Sequence, residues 1–210
     1  MKILILSDIH GNLPALEKVL KRESSVDLII SLGDVVNYGP WSNECVQLID
    51  CQSKLVAILG NHDEAFINGV YTGENQVVVA FFNHCIQEFT EQIKLKEYRL
   101  YHKQDECMFI HTISGRYLFE DSTIDLEQDT FVGHSHRMFS VQRGDYLLSN
   151  PGSVGQNRTN INIINYALWF PESRRVELMQ FEHDSNLLFN EMKRKNYPKI
   201  CFDYLTKRRP

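Results

Sequence analysis

The sequence predicts one α/β domain that begins with parallel βαβ units and continues with antiparallel strands. In the first half, aliphatic runs alternate with stretches of helical periodicity, and short apolar runs separated by turn residues follow in the second half. The early runs are continuously apolar, which is typical of parallel strands buried on both faces. A chain of 210 residues with 43% hydrophobic content can bury one sizeable core, so we expect residues 1–210 to form a single domain.

Composition excludes several classes of protein. The net charge of −5 gives no sign of the basic surface that binds nucleic acid. The five cysteines are odd in number, scattered and never spaced as Cys-x-x-Cys, which argues against a disulfide framework or a structural zinc. The apolar run at the N-terminus is too short for a signal peptide, and no run is long enough to span a membrane. We therefore expect a cytoplasmic protein, with homo-oligomerisation left open.

The first strand, residues 3–6, leads directly into Asp8 and His10. In extended backbone, side chains two residues apart point to the same side, so these two can share one ion. The alternative is a polar loop before a helix that Asn12 caps, with Pro14 in its first turn. The two interpretations are compatible.

The second strand ends in Gly33 and Asp34. Glycine allows a sharp turn there. The two oxygens of the Asp34 carboxylate can hold two cations about 3.5–4 Å apart, the separation in two-metal hydrolases. In the loop that follows, Tyr38 and Trp41 either line a substrate pocket or pack beneath the loop.

The third strand, residues 55–59, leads into Gly60-Asn61-His62-Asp63. Asn61 offers a neutral carbonyl oxygen to a cation. His62 beside Asp63 has the pattern of an acid–base histidine that a carboxylate orients. By itself, this tetrapeptide is also consistent with an ordinary turn.

The second half begins with a predicted helix from residue 76 to about 94, followed by strands at 98–101 and 107–110, and the second of these strands ends in His111. A short apolar run at 130–132 leads into Gly133, and His134 and His136 follow on one side of extended backbone. Further strands are expected at 139–142, 146–149, 163–170 and 176–181, and a last helix at about 186–195.

Ligand sites in α/β proteins form outside the carboxyl ends of parallel strands, which is where the polar residues above are predicted to lie. The candidate metal ligands are Asp8, His10, Asp34, Asn61, His111, His134 and His136. All are oxygen or nitrogen donors, which suits manganese, iron, zinc or nickel better than calcium. Our hypothesis gives Asp8, His10 and His136 to one ion, Asn61, His111 and His134 to the other, and Asp34 to both.

The ordered motifs resemble those of the calcineurin-like metallophosphoesterase superfamily over residues 1 to about 155. The motifs are Asp8-x-His10, Gly33-Asp34, Gly60-Asn61-His62-Asp63, His111 and Gly133-His134-Ser135-His136. The small bacterial and archaeal phosphodiesterase branch also has close counterparts of residues 8–12, 33–40 and 150–155. The resemblance implies a four-layer α/β/β/α sandwich with mixed sheets and a dinuclear metal centre, with every ligand position filled.

Two departures from related families bear on the substrate. In the protein Ser/Thr phosphatases of this superfamily an arginine follows the bridging-aspartate motif, whereas this chain has Asn37-Tyr38-Gly39, and Asp63 stands where they have glutamate. This argues against a phosphoprotein phosphatase. Thr112 follows His111, where the branch commonly has glycine, and residues 114–117 differ from its usual loop, so the substrate preference stays open.

The expected function is metal-dependent hydrolysis of a small phosphodiester or nucleotide substrate. A hydroxide that bridges two divalent ions would be the nucleophile, and His62 would be the general acid. Manganese is the first choice of metal, with nickel, zinc and iron as alternatives. The competing hypotheses are a dinucleoside tetraphosphate-type hydrolase and a non-catalytic protein-binding module. The retromer subunit of this fold, which is such a module, lacks the acid–base histidine.

Overall fold

Two five-stranded sheets form the framework of the protein in a computed structural model that describes residues 1–207. The last three residues of the predicted domain lie outside this range. The strands are β1 (Ile3–Leu6), β2 (Leu28–Ser31), β3 (Leu55–Ala57), β4 (Tyr101–Gln104), β5 (Cys107–Ile110), β6 (Asp129–Phe131), β7 (Met138–Arg143), β8 (Tyr146–Pro151), β9 (Ile163–Phe170) and β10 (Arg175–Glu182). The α-helices are α1 (Leu13–Arg22), α2 (Ser42–Asp50), α3 (Asn61–Asn68), α4 (Gln76–Cys85), α5 (Gln92–Leu95), α6 (Asn186–Arg194) and α7 (Lys199–Thr206).

The first sheet has the strand order β10-β9-β1-β2-β3. Strands β1, β2 and β3 are parallel, which confirms the predicted βαβ units, while β9 and β10 are antiparallel additions. The carboxyl ends of the three parallel strands therefore meet at one edge. The residues that follow them are brought together there.

The second sheet has the order β4-β5-β6-β8-β7. Its edge strands β4 and β7 are antiparallel to their neighbours, as expected for the second half of the chain, whereas β5, β6 and β8 run parallel. Both sheets are thus mixed, which confirms the predicted α/β class. The carboxyl ends of β5 and β6 carry the second group of candidate ligands.

The two sheets pack face to face through large apolar side chains. Ile5 and Ile30 of the first sheet and Phe109 and Phe131 of the second belong to one buried cluster, which Trp169 completes. The Phe109 ring centroid lies 5.3 Å from the ring centroids of both Phe131 and Trp169. Each such side chain contributes about 1.5–3 kcal/mol when fully buried, so this layer holds the strand ends in a fixed relation.

The other face of the first sheet is covered by helices. Helix α1 packs through Leu16 and Val19, and the Asn12 side chain accepts a hydrogen bond from the backbone N–H of Ala15 as the predicted cap. The outer face of the second sheet contacts the irregular segment 111–128 through Leu118. Within residues 1–207, no helix combines the length and the hydropathy needed to cross a membrane.

The predicted helix over residues 76–94 is wrong as a continuous element. Helix α4 ends at Cys85, a single 3₁₀ turn follows, and α5 is only four residues long. At the break, the backbone N–H of Thr90 donates to the Asn43 side chain of α2 at 2.9 Å, and the Phe89 ring packs 5.0 Å from that of Phe66. These tertiary contacts override the helical periodicity.

Candidate metal centre

The chain turns sharply at the candidate ligands. Five of the seven have left-handed backbone conformations, with φ of 54° at Asp8, 49° at His10, 56° at Asp34, 66° at His134 and 58° at His136. The expectation of extended backbone for Asp8 with His10 and for His134 with His136 is therefore wrong. Non-glycine residues in this region are strained by about 1–3 kcal/mol each, and such residues concentrate at functional sites.

Hydrogen bonds between loops hold the turns together. The backbone N–H of Asp8 donates to Gly33 O and that of His10 donates to Asp34 O, both at 3.0 Å. The backbone N–H of His134 donates to Asp8 Oδ2 at 3.1 Å, which ties the second sheet to the first. The candidate ligands therefore converge because neighbouring loops continue the pairing of the strands that precede them.

One cluster consists of Asp8, His10 and His136, whose ligand atoms lie within 4.8 Å of one another. His136 Nε2 is 3.1 Å from Asp8 Oδ1 and 3.2 Å from His10 Nε2. Asp8 Oδ1 is buried and has no hydrogen-bond partner. Burial and the nearby His136 lower the pKa of His10 to about 3, so its ring is neutral and can offer a lone pair. This set fits a divalent cation.

A second cluster consists of Asp34, His111 and His134. His111 donates from both ring nitrogens, to Leu32 O at 2.8 Å and to Asn61 Oδ1 at 3.0 Å. Although burial lowers its pKa, the charge of Asp34 raises it to about 9. The Nε2 proton of His111 thus points toward Asn61 and Asp34. A cation in place of this proton would be bound by oxygen and nitrogen donors.

Asp34 lies between the two clusters. Its Oδ1 accepts a hydrogen bond from the backbone N–H of His62 at 2.8 Å, so only Oδ2 is free. This buried Oδ2 has no hydrogen-bond partner and lies 3.8 Å from His10 Nε2 and 3.3 Å from His111 Nε2. If Asp34 bridges two ions, it therefore uses one oxygen rather than the two that the sequence suggested.

The candidate histidine ligands are oriented by backbone carbonyls. The Nδ1 atoms of His10 and His136 donate to Val36 O at 3.0 Å and to Gln156 O at 2.7 Å. Histidines that bind metals commonly use their second ring nitrogen in this way, which fixes the tautomer and turns Nε2 toward the ion. Both the orientation of these side chains and the types of donor atom thus fit metal coordination.

His62 is not oriented by Asp63, contrary to the sequence interpretation. The Asp63 carboxylate accepts hydrogen bonds from four backbone N–H groups, those of Asp34 (2.7 Å), Val35 (2.9 Å), Val36 (3.2 Å) and Gly60 (3.0 Å). Burial and the charge of Asp34 raise the pKa of Asp63 to about 7. Asp63 therefore holds the turn after β2 by accepting hydrogen bonds from its backbone N–H groups.

The partner of the His62 ring is Asn37. The Asn37 side-chain amide forms a hydrogen bond with His62 Nδ1 at 2.9 Å. A ring nitrogen of His62 also lies within 4.8 Å of His10 and Asp34, so the ring faces the proposed reaction centre. Sequence reasoning missed Asn37, although its position three residues after Asp34 places it in the same turn.

Three tyrosine rings surround the site. Tyr38 is buried, with its ring centroid 4.6 Å from that of His10, whereas Trp41 packs against the core. Tyr71 stacks parallel to His62 at 5.9 Å, and Tyr117 stacks on His134 at 4.1 Å. Tyr71 and Tyr117 lie in irregular segments with no local motif, so neither could be identified from sequence.

Gly60 is required by close approach rather than by its own backbone angles. A Cβ on Gly60 would lie 2.2 Å from Asp34 Oδ1 and 2.3 Å from Asp34 N. We expect Gly60→Ala to lower the free energy of unfolding by about 1–3 kcal/mol and to weaken metal binding, as measured by urea unfolding and metal titration. In Gly69→Ala the new Cβ meets open space at a φ of 68°, so this control should lose stability but retain metal affinity. Unchanged metal affinity in Gly60→Ala would contradict the expectation.

Comparison with known proteins gives relatives over most of the chain. The model of the calcineurin-like phosphoesterase superfamily domain matches residues 1–172. Uncharacterized protein MJ0912 of Methanocaldococcus jannaschii is 28% identical over 93% of both chains. Phosphodiesterase YfcE of Escherichia coli is 29% identical over 73% of this chain and 79% of its own. A crystal structure of a metallophosphoesterase from Sphaerobacter thermophilus has a TM-score of 0.80 and 26% identity over 98% of both chains.

Proposed function

The chain belongs to the calcineurin-like phosphoesterase superfamily, and we propose that it hydrolyses phosphodiester bonds with two divalent cations and with His62 as general acid. As a member of this family it is a hydrolase of phosphoesters. The free Oδ2 of Asp34 between His10 and His111 carries the proposal, because a buried anionic oxygen without a partner is stabilised by a cation.

The proposed cation ligands follow the two clusters. One cation would take Asp8, His10 and His136, the other Asn61, His111 and His134, and Asp34 Oδ2 would serve both. When bound, two divalent cations make hydroxide available near neutral pH and neutralise the charge of phosphate oxygens. We propose manganese first, with nickel, zinc and iron as alternatives, because the donor set does not include a thiolate.

The residues of the chain then supply the proton transfer. As the imidazolium, with a proton on each ring nitrogen, His62 would donate its Nε2 proton to the departing alkoxide and become neutral, while the Asn37 amide beside Nδ1 fixes the orientation of the ring. The backbone hydrogen bond from His62 to Asp34 Oδ1 fixes the distance between the acid and the bridging carboxylate. His62 is only 7% exposed, so bulk water does not compete strongly for the proton.

The substrate proposal is a small phosphodiester. The name of the Escherichia coli relative, a phosphodiesterase, supports it, as does the absence of the arginine that follows the bridging motif in Ser/Thr phosphatases. Hydrolysis of a nucleotide polyphosphate is the second candidate, favoured by the cationic side chain of Arg158, which lies against Tyr117 at the edge of the clusters. A non-catalytic binding module is disfavoured, because His62 is present and directed at the clusters.

We also propose that residues 1–210 act as one domain in the cytoplasm. Helices α6 and α7 lie beyond residue 172, where the family match ends, yet their Leu188 and Cys201 share a buried cluster with Tyr38 and Phe81. This packing supports one folding unit. The five cysteines are all free, which is consistent with a reducing compartment.

The test is a comparison of model substrates. Metal-stripped protein is titrated with manganese, nickel, zinc and magnesium, and hydrolysis of bis-p-nitrophenyl phosphate is measured against p-nitrophenyl phosphate. We expect metal-dependent cleavage that favours the diester. A preference for the monoester would contradict the phosphodiesterase proposal, and turnover restricted to dinucleoside polyphosphates would favour the second candidate.

Asn37→Ala is expected to reduce kcat about 10- to 100-fold for a diester with an alkoxide leaving group, because the His62 ring loses the hydrogen bond to Asn37 that orients it. The reduction should be smaller for a nitrophenyl diester, which needs no proton. The measurement is kcat on both substrates, together with metal content, which should not change. Asn43→Ala removes an amide that instead bonds to Thr90 and Glu88, and it should leave the ratio of the two rates unchanged. Equal losses on both substrates would contradict the positioning role of Asn37.

A further inference from the structure

Arg158 lies in the loop between β8 and β9 and has an unused hydrogen-bond donor. Its Nε is buried and has no hydrogen-bond partner among the residues that the structure describes. Within residues 1–207 the groups that face its charge are the hydroxyls of Tyr204, Tyr117 and Tyr38, and no carboxylate forms an ion pair with it. Buried polar groups are almost always paired, so this one needs an explanation.

The loop brings Arg158 to the edge of the candidate metal centre. Two residues before it, Gln156 O accepts the Nδ1 hydrogen of His136 at 2.7 Å. The guanidinium carbon lies 5.2 Å from the ring centroid of Tyr117, and that ring stacks on His134 at 4.1 Å. The backbone of Arg158 is thus anchored beside one cluster, and its side chain lies beside the other.

The guanidinium stays outside the set of proposed ligands. It contacts Tyr117, which lies between it and His134, and within residues 1–207 it forms no hydrogen bond to a candidate ligand. The phosphate under attack would be held by the cations and their ligands. A group at the position of Arg158 would therefore contact a part of the substrate other than the phosphate under attack.

The chemistry of this position suits a phosphate. A guanidinium is planar, always charged, weakly hydrated and able to form two parallel hydrogen bonds with phosphate oxygens. The tyrosine rings around it partly bury the guanidinium, and burial strengthens charge-assisted hydrogen bonds. Tyr117 is 49% exposed, so the approach to this position is open to solvent.

We propose that Arg158 binds a second phosphate group of the substrate, outside the phosphodiester that is hydrolysed. The protein would accordingly prefer phosphodiesters that carry an additional phosphate over those that do not. This inference rests on the proposed function, because it assumes that the attacked phosphate lies at the two clusters.

The test uses two substrates with the same scissile bond and leaving group. They are the p-nitrophenyl ester of thymidine 5′-phosphate and the same ester with a 3′-phosphate. We expect kcat/KM to be at least about 10-fold higher with the 3′-phosphate, mainly through KM. Arg158→Met should abolish that preference while changing hydrolysis of bis-p-nitrophenyl phosphate by less than about twofold. Arg158→Lys should keep part of the preference, because a charge remains without the planar fork.

The control is Arg116→Met, which removes the same charge from an exposed position beside Tyr117 and should keep the preference. A second readout is calorimetric binding of adenosine 3′,5′-bisphosphate and of adenosine 5′-monophosphate, with thermal melting to verify folding. Arg158→Met should weaken binding of the bisphosphate about 10-fold and that of the monophosphate little.

Each outcome decides the proposal. Absence of a preference in the unmodified protein, or an equal loss on both esters in Arg158→Met, would overturn it and leave the phosphodiesterase proposal standing. If no diester is hydrolysed with any metal, the proposed function fails. The bisphosphate binding then still decides the role of Arg158, since weaker binding in the variant supports it and equal binding overturns it.

Discussion

Asp34→Asn is expected to abolish metal-dependent hydrolysis of bis-p-nitrophenyl phosphate, with kcat reduced by at least about 10³-fold. The substitution keeps the shape of the side chain and an oxygen that can accept the backbone N–H of His62. It replaces the free Oδ2 between His10 and His111 by an amide N–H₂ group, which cannot coordinate a cation. The loss therefore reports on the cations rather than on folding.

The measurement combines kcat with the number of metal ions per chain from elemental analysis. Asp203→Asn changes an exposed carboxylate that pairs with Lys199, and it should leave both quantities unchanged. A variant at Asp34 that retains two tightly bound ions and more than about a tenth of the activity would contradict the bridging role.

A metal-free readout is available for the same variant. In the unmodified protein Asp34 raises the pKa of His111 to about 9, against the effect of burial. Without that charge the pKa should fall toward or below the ordinary value of about 6.5, which NMR titration of the histidine ring can follow. The raised pKa also means that His111 stabilises the metal-free fold below about pH 6.5, and that this contribution is lost as the pH rises through about 9.

His62→Ala is expected to reduce kcat about 10²- to 10⁴-fold for a dinucleotide, whose alkoxide leaving group needs a proton. The loss should be much smaller for bis-p-nitrophenyl phosphate, because nitrophenolate leaves without protonation. Two ions per chain should remain bound, since the proposed ligands do not include His62. The measurement is kcat on both substrates alongside elemental analysis.

The control for this prediction is His102→Ala, which removes a histidine whose side chain contacts Arg99 and Gln104 away from the site. It should change neither rate. Because a ring nitrogen of His62 lies within 4.8 Å of His10 and Asp34, a role as a metal ligand is a distinct alternative. Loss of one ion per chain in His62→Ala, or an equal reduction of kcat on both substrates, would support the metal-ligand role of His62 over its role as general acid.

The strands were easier to predict from sequence than the helices. Strands β5 and β9 match the expected ranges because each is a clear apolar run between turn residues. Helix α3 was not predicted, since it begins at the polar residues Asn61-His62-Asp63, which have the composition of a turn. Helix α7 is a short element without a side-chain cap, so it too has little local signal.

At the site, sequence identified the candidate ligands but not the contacts around them. The hypothesis gave Asp8 and His136 to one ion, His111 to the other and Asp34 to both; the structure brings Asp8 close to His136 and Asp34 close to His111, and their role as metal ligands stays a prediction. The left-handed turns could not be predicted, because loop hydrogen bonds rather than residue type impose them. For the same reason, only the three-dimensional structure shows that the partner of the His62 ring is Asn37 and not Asp63.

The most direct test of the two-cation proposal is anomalous diffraction from crystals of the manganese-loaded protein. We expect two anomalous peaks about 3.5–4 Å apart, with Asp34 Oδ2 between them, His10 and His136 at one peak and His111 and His134 at the other. A single peak at full manganese occupancy, or two peaks that do not share Asp34, would contradict the account.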